Sequence, residues 1–314
     1  MEYRERTLGA YTSLEQLASY QLAARQLKPE HGNRALSHLS GPFRTHIRGR
    51  GIEFEDVRLY QAGDDIRAME WRITARSGKP HTKQFREERE KPVVVVTDQR
   101  HSMFFGSRKA LKSVVAADLA AYLAWAAFHQ GDRVGGLVLS DNGCFQLRPR
   151  HQRRNLLQLL SHLADSNQSL TSHPPDQRLS LPRMLQELRP LARPGTRIYL
   201  ISDFHDLTDE AAPLLHQLSA HTEIIAIQVY DALEAELPPA GVYHATDGAT
   251  TLRFDSAKST ARSHYAAEFQ AQQERIRTLF ARFAIPLVAI STEEPPFTAL
   301  QHHFGKARRK RGAP

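Results

Sequence analysis

Two aspartates close apolar runs: Asp98 ends "VVVVTD" and Asp203 ends "YLISD". A carboxylate at the mouth of a buried strand, with the Ser102 hydroxyl four residues on, is a set of hard oxygen donors. Magnesium takes such donors in octahedral geometry and keeps waters. Two carboxylates at neighbouring strand ends repel each other, so a divalent cation, a cationic side chain or a shared proton must offset them. Asp98, Ser102 and Asp203, with one more hydroxyl, could hold a weak Mg or Mn ion. Arg100 intervenes between Asp98 and Ser102. A guanidinium is always charged and has no lone pair for a metal. Pointing inward, Arg100 replaces the ion and pairs with Asp98 or Asp203; pointing outward, it leaves a weakened metal site. The metal-free arrangement is the preferred expectation. A plainer role is also open, in which Asp98 and Ser102 only cap the following turn.

These residues need strands and helices to position them. From residue 93 strands alternate with helices. "PVVVVTD", "DRVGGLVLSD", "TRIYLISDF", "TEIIAIQVYD" and "IPLVAIST" read as strands. Between them lie "RKALKSVVAADLAAYLAWAAFHQ", "QRRNLLQLLSHLAD", "LPRMLQELRPLA", "TDEAAPLLHQLSA" and "RSHYAAEFQAQQERIRTLFARFA" as helices. "GCFQLRP" is a further strand, joined to its neighbour at Asp141-Asn142-Gly143, a tight-turn signal. "GVYHATDGATTLRFDS" reads as a hairpin. The pattern predicts an α/β fold, a doubly wound and mostly parallel sheet. Ligands in such sheets bind at the carboxyl ends of the strands, near the switch point, which is where Asp98 and Asp203 fall. Ahead of this, residues 13–28 predict an amphipathic helix with Ser13 as N-cap. "AGDD" and "SGKP" mark turns between short strands. The expected divisions are 1–91, 92–295 and 296–314, the last a helix end and basic tail.

Composition agrees with a soluble globular chain: of 314 residues, 41% are hydrophobic and 24% charged. No apolar run approaches the roughly 18 residues of a membrane span, and "MEYRERTLGAY" has no signal-peptide core. A cytoplasmic protein is expected. A single cysteine, Cys144, excludes an internal disulfide and a cysteine-based zinc site; it reads as a core residue of a strand. The formal charge is +8, and Lys306, Arg308, Arg309, Lys310 and Arg311 supply much of it. That tail is either a solvated end or an electrostatic contact with nucleic acid, anionic lipid or an acidic partner. "LRPRHQRRN" at 147–155 is a second basic stretch that could touch phosphates. It lacks neighbouring aromatics for base stacking. No phosphate-binding loop of the Gly-x-x-x-x-Gly-Lys-Ser/Thr kind and no Gly-x-Ser-x-Gly elbow occurs, and no triad can be assigned.

"TDQRHSM" resembles the Asp-x-Ser-x-Ser metal-site motif of von Willebrand factor A domains, and "YLISDF" resembles the strand bringing that site's distal Asp. The resemblance matches Asp98 to the first Asp, Ser102 to the second Ser and Asp203 to the distal Asp. Arg100 stands where the family has its first Ser. Thr171 and Ser180 are both open for the family's Thr. Upstream, Gly49-Arg50-Gly51, Glu53-Phe54, Arg58-x-Tyr60, Gly63-Asp64-Asp65-x-Arg67, Trp71 and Ala75-Arg76 resemble the signature of the bacterial domain-of-unknown-function-58 family. The resemblance is dense over about residues 35–165. It implies a von Willebrand A-like domain with an extra N-terminal segment and association with MoxR-type AAA+ ATPases. In that segment Arg–Asp pairs could form a buttress, with Tyr60 and Trp71 buried. Alternatively Asp64, Asp65, Arg67, Trp71 and Arg76, with Arg100, form a partner-docking surface. The resulting expectation is a non-enzymatic adaptor or scaffold with a degenerate metal-ion-dependent adhesion-type site, working with a MoxR-type ATPase in complex assembly or maturation. The alternatives are a nucleic-acid-binding protein using its tail and patch and, last, a metal-dependent hydrolase using Asp98, Asp203 and Asp64 or Asp65.

Overall fold

The computed structural model describes residues 9–27, 53–61, 69–86, 90–169, 179–246 and 251–304. At its centre lies β3 (Pro92–Gln99), whose valines are buried on both faces. Val93 and Val95 enter one core and Val94 and Val96 the other. That two-sided burial is why the sequence reads as a continuous apolar run rather than an alternation.

Five more strands complete the sheet: β4 (Arg133–Ser140), β5 (Gly143–Arg150), β6 (Arg197–Ser202), β7 (Glu223–Tyr230) and β10 (Leu287–Ser291). Their order is β10-β7-β6-β3-β4-β5. All neighbours run parallel except β5, which returns antiparallel to β4 through the expected turn. One face is covered by α1 (Leu14–Ser19), α2 (Gln21–Ala24), α4 (Lys112–His129), α5 (Arg153–Asn167) and α10 (Pro296–Phe304). The other carries α6 (Leu181–Leu188), α7 (Ala212–Ser219) and α9 (Ser259–Arg282). The α/β, doubly wound, mostly parallel architecture is therefore present.

Helix α4 lies between the sheet and the outer helices. Every residue from Lys112 to Ala127 is buried. Its run of alanines lets neighbours approach from all sides, so no polar stripe is visible in the sequence. The Trp125 indole donates to the Leu17 carbonyl at 3.1 Å, and Tyr20 stacks on Tyr122 with centroids 4.3 Å apart.

The chain divides into compact units at other places than expected. Residues 43–90 form one, and Met1–Pro42 with Lys91–Pro314 form the other. The N-terminal helix belongs to the sheet unit because Leu17, Tyr20 and Ala24 join its core. The expected 13–28 helix is two short ones, divided at Tyr20, with Ser13 capping the first through the Gln16 amide. Leu300 and Phe304 also join that core, so α10 is an integral element rather than the start of a tail.

In the smaller unit β1 (Glu53–Leu59) pairs antiparallel with β2 (His81–Arg86). Between them "WRITARS", expected as strand, forms helix α3 (Trp71–Ser77). It ends at Gly78, whose φ of 68° provides a left-handed C-cap. The predicted hairpin is β8 (Val242–Thr246) with β9 (Thr251–Asp255), after a one-turn helix α8 (Ala232–Ala235).

Candidate functional site

β3 and β6 lie side by side at the middle of the sheet. After β3 the chain passes to α4 on one face; after β6 it passes to α7 on the other. This is the switch point, and the strand ends deliver Asp98 and Asp203 to it. Asp98 is fully buried, and Asp203 is nearly so.

Arg100 points inward. Its Nε donates to Asp98 Oδ1 at 3.0 Å and its Nη2 to Asp98 Oδ2 at 2.7 Å. The same guanidinium reaches Asp206, with Nη1–Oδ2 at 2.6 Å and Nη2–Oδ1 at 3.0 Å. Nη1 also donates to the Leu179 carbonyl at 2.7 Å. The side chain is only 8% exposed. Burial alone would favour loss of its proton, but Asp98 and then Asp206 outweigh that and hold it more firmly cationic than usual. The planar fork suits two carboxylates at once, which a lysine could not match.

Asp203 does not share this cation. Its Oδ2 accepts from Lys112 Nζ at 2.8 Å, and Lys112 also donates to Glu234 Oε1 at 2.6 Å. Lys112 is the first residue of α4 and is 1% exposed. Burial pushes the Asp203 carboxyl up, but Lys112 beside it, the His205 amide and Arg100 bring it below the ordinary carboxylate range. For Lys112, burial pushes down and the charges of Asp203 and Glu234 more than reverse it. Glu234 continues the chain of contacts. Its Oε2 accepts from the Asp231 amide at 2.8 Å, closing a capping box at α8. Asp231, fully buried at the end of β7, accepts from Thr292 Oγ1 at 2.6 Å and from the Ser107 amide at 3.0 Å. That last bond pins the β3–α4 loop, which leaves Phe105 41% exposed.

A hydroxyl does bond Asp98, but it is that of Ser202, at 2.7 Å. Ser102 sits half-buried in a 3-10 turn, and among the described residues no hydrogen bond joins it to Asp98 or Asp203. Ser202 Oγ also accepts from the Phe204 amide at 3.0 Å. Phe204 is fully buried at φ 55°, a left-handed conformation unusual for an aromatic residue, and packs edge-on to Phe280 at 4.9 Å.

A divalent ion does not fit this donor set. Both Asp98 oxygens are bonded by Arg100, and Asp203 Oδ2 by Lys112. Among the described residues no three His, Cys, Asp or Glu side chains converge as metal ligands. Of the candidates for the fourth donor, Ser180 accepts from the Arg183 amide and caps α6, while Thr171 lies outside the described residues. That loop meets the site through its backbone: Leu179 O accepts from Arg100 and the Leu181 amide donates to Asp206 at 2.9 Å. Arg100 is also not a free cation for a partner, since Asp98, Asp206 and Leu179 engage its donors.

Asp64, Asp65 and Arg67 lie outside the described residues, as do the basic residues of the tail. Trp71 is 63% exposed and Arg76 is exposed too, in the smaller unit. Sequence reading missed Asp206, Lys112, Ser202 and Glu234. Asp206 had a signal, as a second acid three residues after Asp203. Lys112 had one too, as a lone cation opening an apolar helix.

A family model described as "Protein of unknown function DUF58" matches residues 56–275. The chain belongs to the DUF58 family. It is 28% identical over 268 residues to "Uncharacterized protein Rv1480" of Mycobacterium tuberculosis and, to the same extent, to "Uncharacterized protein Mb1516" of Mycobacterium bovis. The match covers 85% of this chain and 82% of each relative. Among solved structures it is similar to the conserved hypothetical protein BatB from Bacteroides thetaiotaomicron. Identity there is 12%, coverage 69% of this chain and 98% of that one, and the TM-score 0.42. It is also similar to an aerotolerance-related membrane protein from Bacteroides fragilis, at 13% identity, 69% and 100% coverage and a TM-score of 0.40. Among the described residues of this DUF58 chain no helix is long and apolar enough to cross a membrane.

Proposed function

We propose that this DUF58 protein is a non-enzymatic adaptor that presents the carboxyl edge of its sheet to a protein partner. The observation that supports it is the Arg100 guanidinium seated between Asp98 and Asp206. A cationic side chain there, with Lys112 on Asp203, gives a degenerate adhesion-type site that works without an ion. Asp98 and Asp203 are committed to structural pairs with Arg100 and Lys112, which leaves neither as a free base of the kind hydrolysis would need. The edge retains features a partner can read: Asp206 and Glu234 are 34% and 29% exposed, and Phe105 stands exposed on a pinned loop. An aromatic knob with a charged rim is the usual make-up of an interface centre. The family resemblance to proteins that accompany MoxR-type AAA+ ATPases suggests the partner, with complex assembly or maturation as the task and the cytoplasm as the place.

Affinity capture from native cytoplasm, run with magnesium and again with chelator, tests this reading. Capture of a MoxR-type ATPase in both arms, lost on Phe105→Asp, supports an ion-independent adaptor. Absence of any such ATPase overturns the partner. Capture that survives Phe105→Asp overturns the face.

A further inference from the structure

Far from the carboxyl edge, the opposite corner of the sheet gathers positive charge. Arg133 opens β4, Arg148 and Arg150 lie on β5, and Arg153 and Arg154 begin α5. The register places Val134 opposite Arg150, which brings the start of β4 to the end of β5. Asn155 fixes the corner: its Nδ2 donates to the Val134 carbonyl at 2.8 Å and to the Arg148 carbonyl at 3.2 Å. Gly135 allows the close approach, since a Cβ there would stand 2.4 Å from Leu147 O and 2.6 Å from Pro149 N.

Within this frame the arginines divide into two kinds. Arg153 is engaged, lying over the Trp125 ring at 5.9 Å and donating to Gln21 Oε1 at 3.2 Å. Arg133, Arg148, Arg150 and Arg154 are exposed, and among the described residues none has an ion pair or a side-chain hydrogen bond. Residues 148–154 contain no acid. The first turn of α5 has none either, although a helix start favours negative charge. Exposed like charges without ion pairs, held on one rigid corner, repel, and an anionic partner removes that cost.

We propose that this corner binds the phosphodiester backbone of duplex nucleic acid, with Arg148, Arg150 and Arg154 as phosphate contacts. Arg148 and Arg150 are both exposed at the end of β5, where the register with β4 shifts between Val134 and Gly136. The guanidinium fork matches phosphate oxygens in pairs. Trp125 lies under Arg153 and Phe128 beside His151 at 5.0 Å, so these two rings do not offer an open platform for unpaired bases. Leu22 is the large apolar residue exposed beside the corner, which falls short of the apolar face a membrane surface requires. Charge and proline on an edge strand also deter strand pairing, but Arg154 on α5 and Arg133 on β4 lie outside that role. This surface is independent of the carboxyl edge and of the adaptor reading.

The test uses the full chain and a fluorescent DNA duplex of about 20 base pairs, with anisotropy read between about 50 and about 200 mM salt. The expected result is binding by the parent that falls steeply with salt. Arg148→Ala/Arg150→Ala/Arg154→Ala should bind at least about tenfold more weakly, with a log–log salt slope shallower by about 2.7, three contacts at about 0.9 each. An unchanged melting curve checks that the variant folds, and Arg153 is left intact because it packs on Trp125. A second variant with Lys306, Arg308, Arg309, Lys310 and Arg311 changed to Gln should retain the corner's share of the slope. Three outcomes overturn the proposal: no duplex binding by the parent at about 50 mM salt, triple-variant binding equal to the parent, or parent binding to phosphatidylserine vesicles but not to duplex.

Discussion

The Arg100 guanidinium clasps the carboxylate of Asp98, two residues earlier in the chain, through Nε and Nη2 at 3.0 and 2.7 Å. The Arg100 amide donates to the same carboxylate, at 3.0 Å from Oδ1. A strand end thus neutralises its own buried acid within one turn. The second half of the fork carries the contact 106 residues on, to Asp206. One side chain therefore joins the exit of β3 to the exit of β6.

Arg100→Ala should destabilise the fold by about 3–5 kcal/mol, the usual cost of leaving a buried charge unpaired. Arg100→Lys should recover only part, because a point charge cannot make the forked contacts. Urea denaturation reads both. Arg100→Ser restores the serine spacing of an adhesion-type metal site, yet magnesium should leave its urea midpoint unchanged, because Lys112 still holds Asp203. A midpoint that rises with magnesium would show that the donors accept an ion after all.

The Lys112–Asp203 pair should give a broad stability plateau. The folded Asp203 carboxyl lies below its ordinary value, so its contribution is complete above about pH 5 and is lost as pH falls through the folded value. The Lys112 ammonium lies above its ordinary 10.5, so its contribution is complete below that range and is lost as pH rises through the folded value. In Lys112→Met the burial of Asp203 loses its main opponent, and the carboxyl moves up. The variant should be about 3–5 kcal/mol less stable at pH 7, and the gap to the parent should narrow as pH falls toward about 4. A gap constant from pH 7 to pH 4 would mean that Asp203 is not the group Lys112 neutralises.

These polar contacts mark where sequence reading stopped. Asp98, Arg100 and Asp203 were legible because each sits at or just past an apolar run, and a strand end fixes position. The sheet was legible for a related reason: β-rich runs such as "VVVV" and "YLIS", alternating with helices, suit strands buried on both faces as a layered α/β sheet provides. Asp206 and Lys112 carried a local hint but not their pairing, and Ser202 and Glu234 carried none, because the partners lie 91 to 122 residues away and nothing local selects among distant acids and bases. Ser102 was misjudged because spacing gives the separation of two residues but not the 3-10 turn between them. "WRITARS" was misjudged because seven residues carry little periodicity, and Gly78, read as a turn, also serves as a helix cap.

Cys144 should be a poor nucleophile in the folded protein. Burial, with the charge of Glu187 adding to it and Arg183 opposing, pushes its thiol up to about 11. Alkylation at pH 7.5 is expected to be far slower than for a free cysteine, about 8.5 in model peptides, and to accelerate as pH rises toward 11. Iodoacetamide labelling followed by mass spectrometry measures the rate. Labelling as fast as a free thiol would contradict the partial burial of Cys144.

Gly135→Ala should loosen the basic corner. The new methyl meets backbone atoms of Leu147 and Pro149, which cannot rotate aside as a side chain tip could. A loss of about 1–3 kcal/mol is expected from such overpacking, with hydrogen exchange faster in β5 than in β6. Equal protection of β5 in the parent and the variant would show that the strand accommodates the methyl without moving.

A cation carried on the chain has no dissociation constant. Arg100 and Lys112 are present at one per molecule in every cell and at every magnesium concentration, so mass action cannot load or strip the crevice. An ion site can be graded by supply; near neutral pH this one is altered by moving the backbone segments that bear its charges. Its state is set by where the strand exits hold these charges and by pH, and not by the supply of a metal.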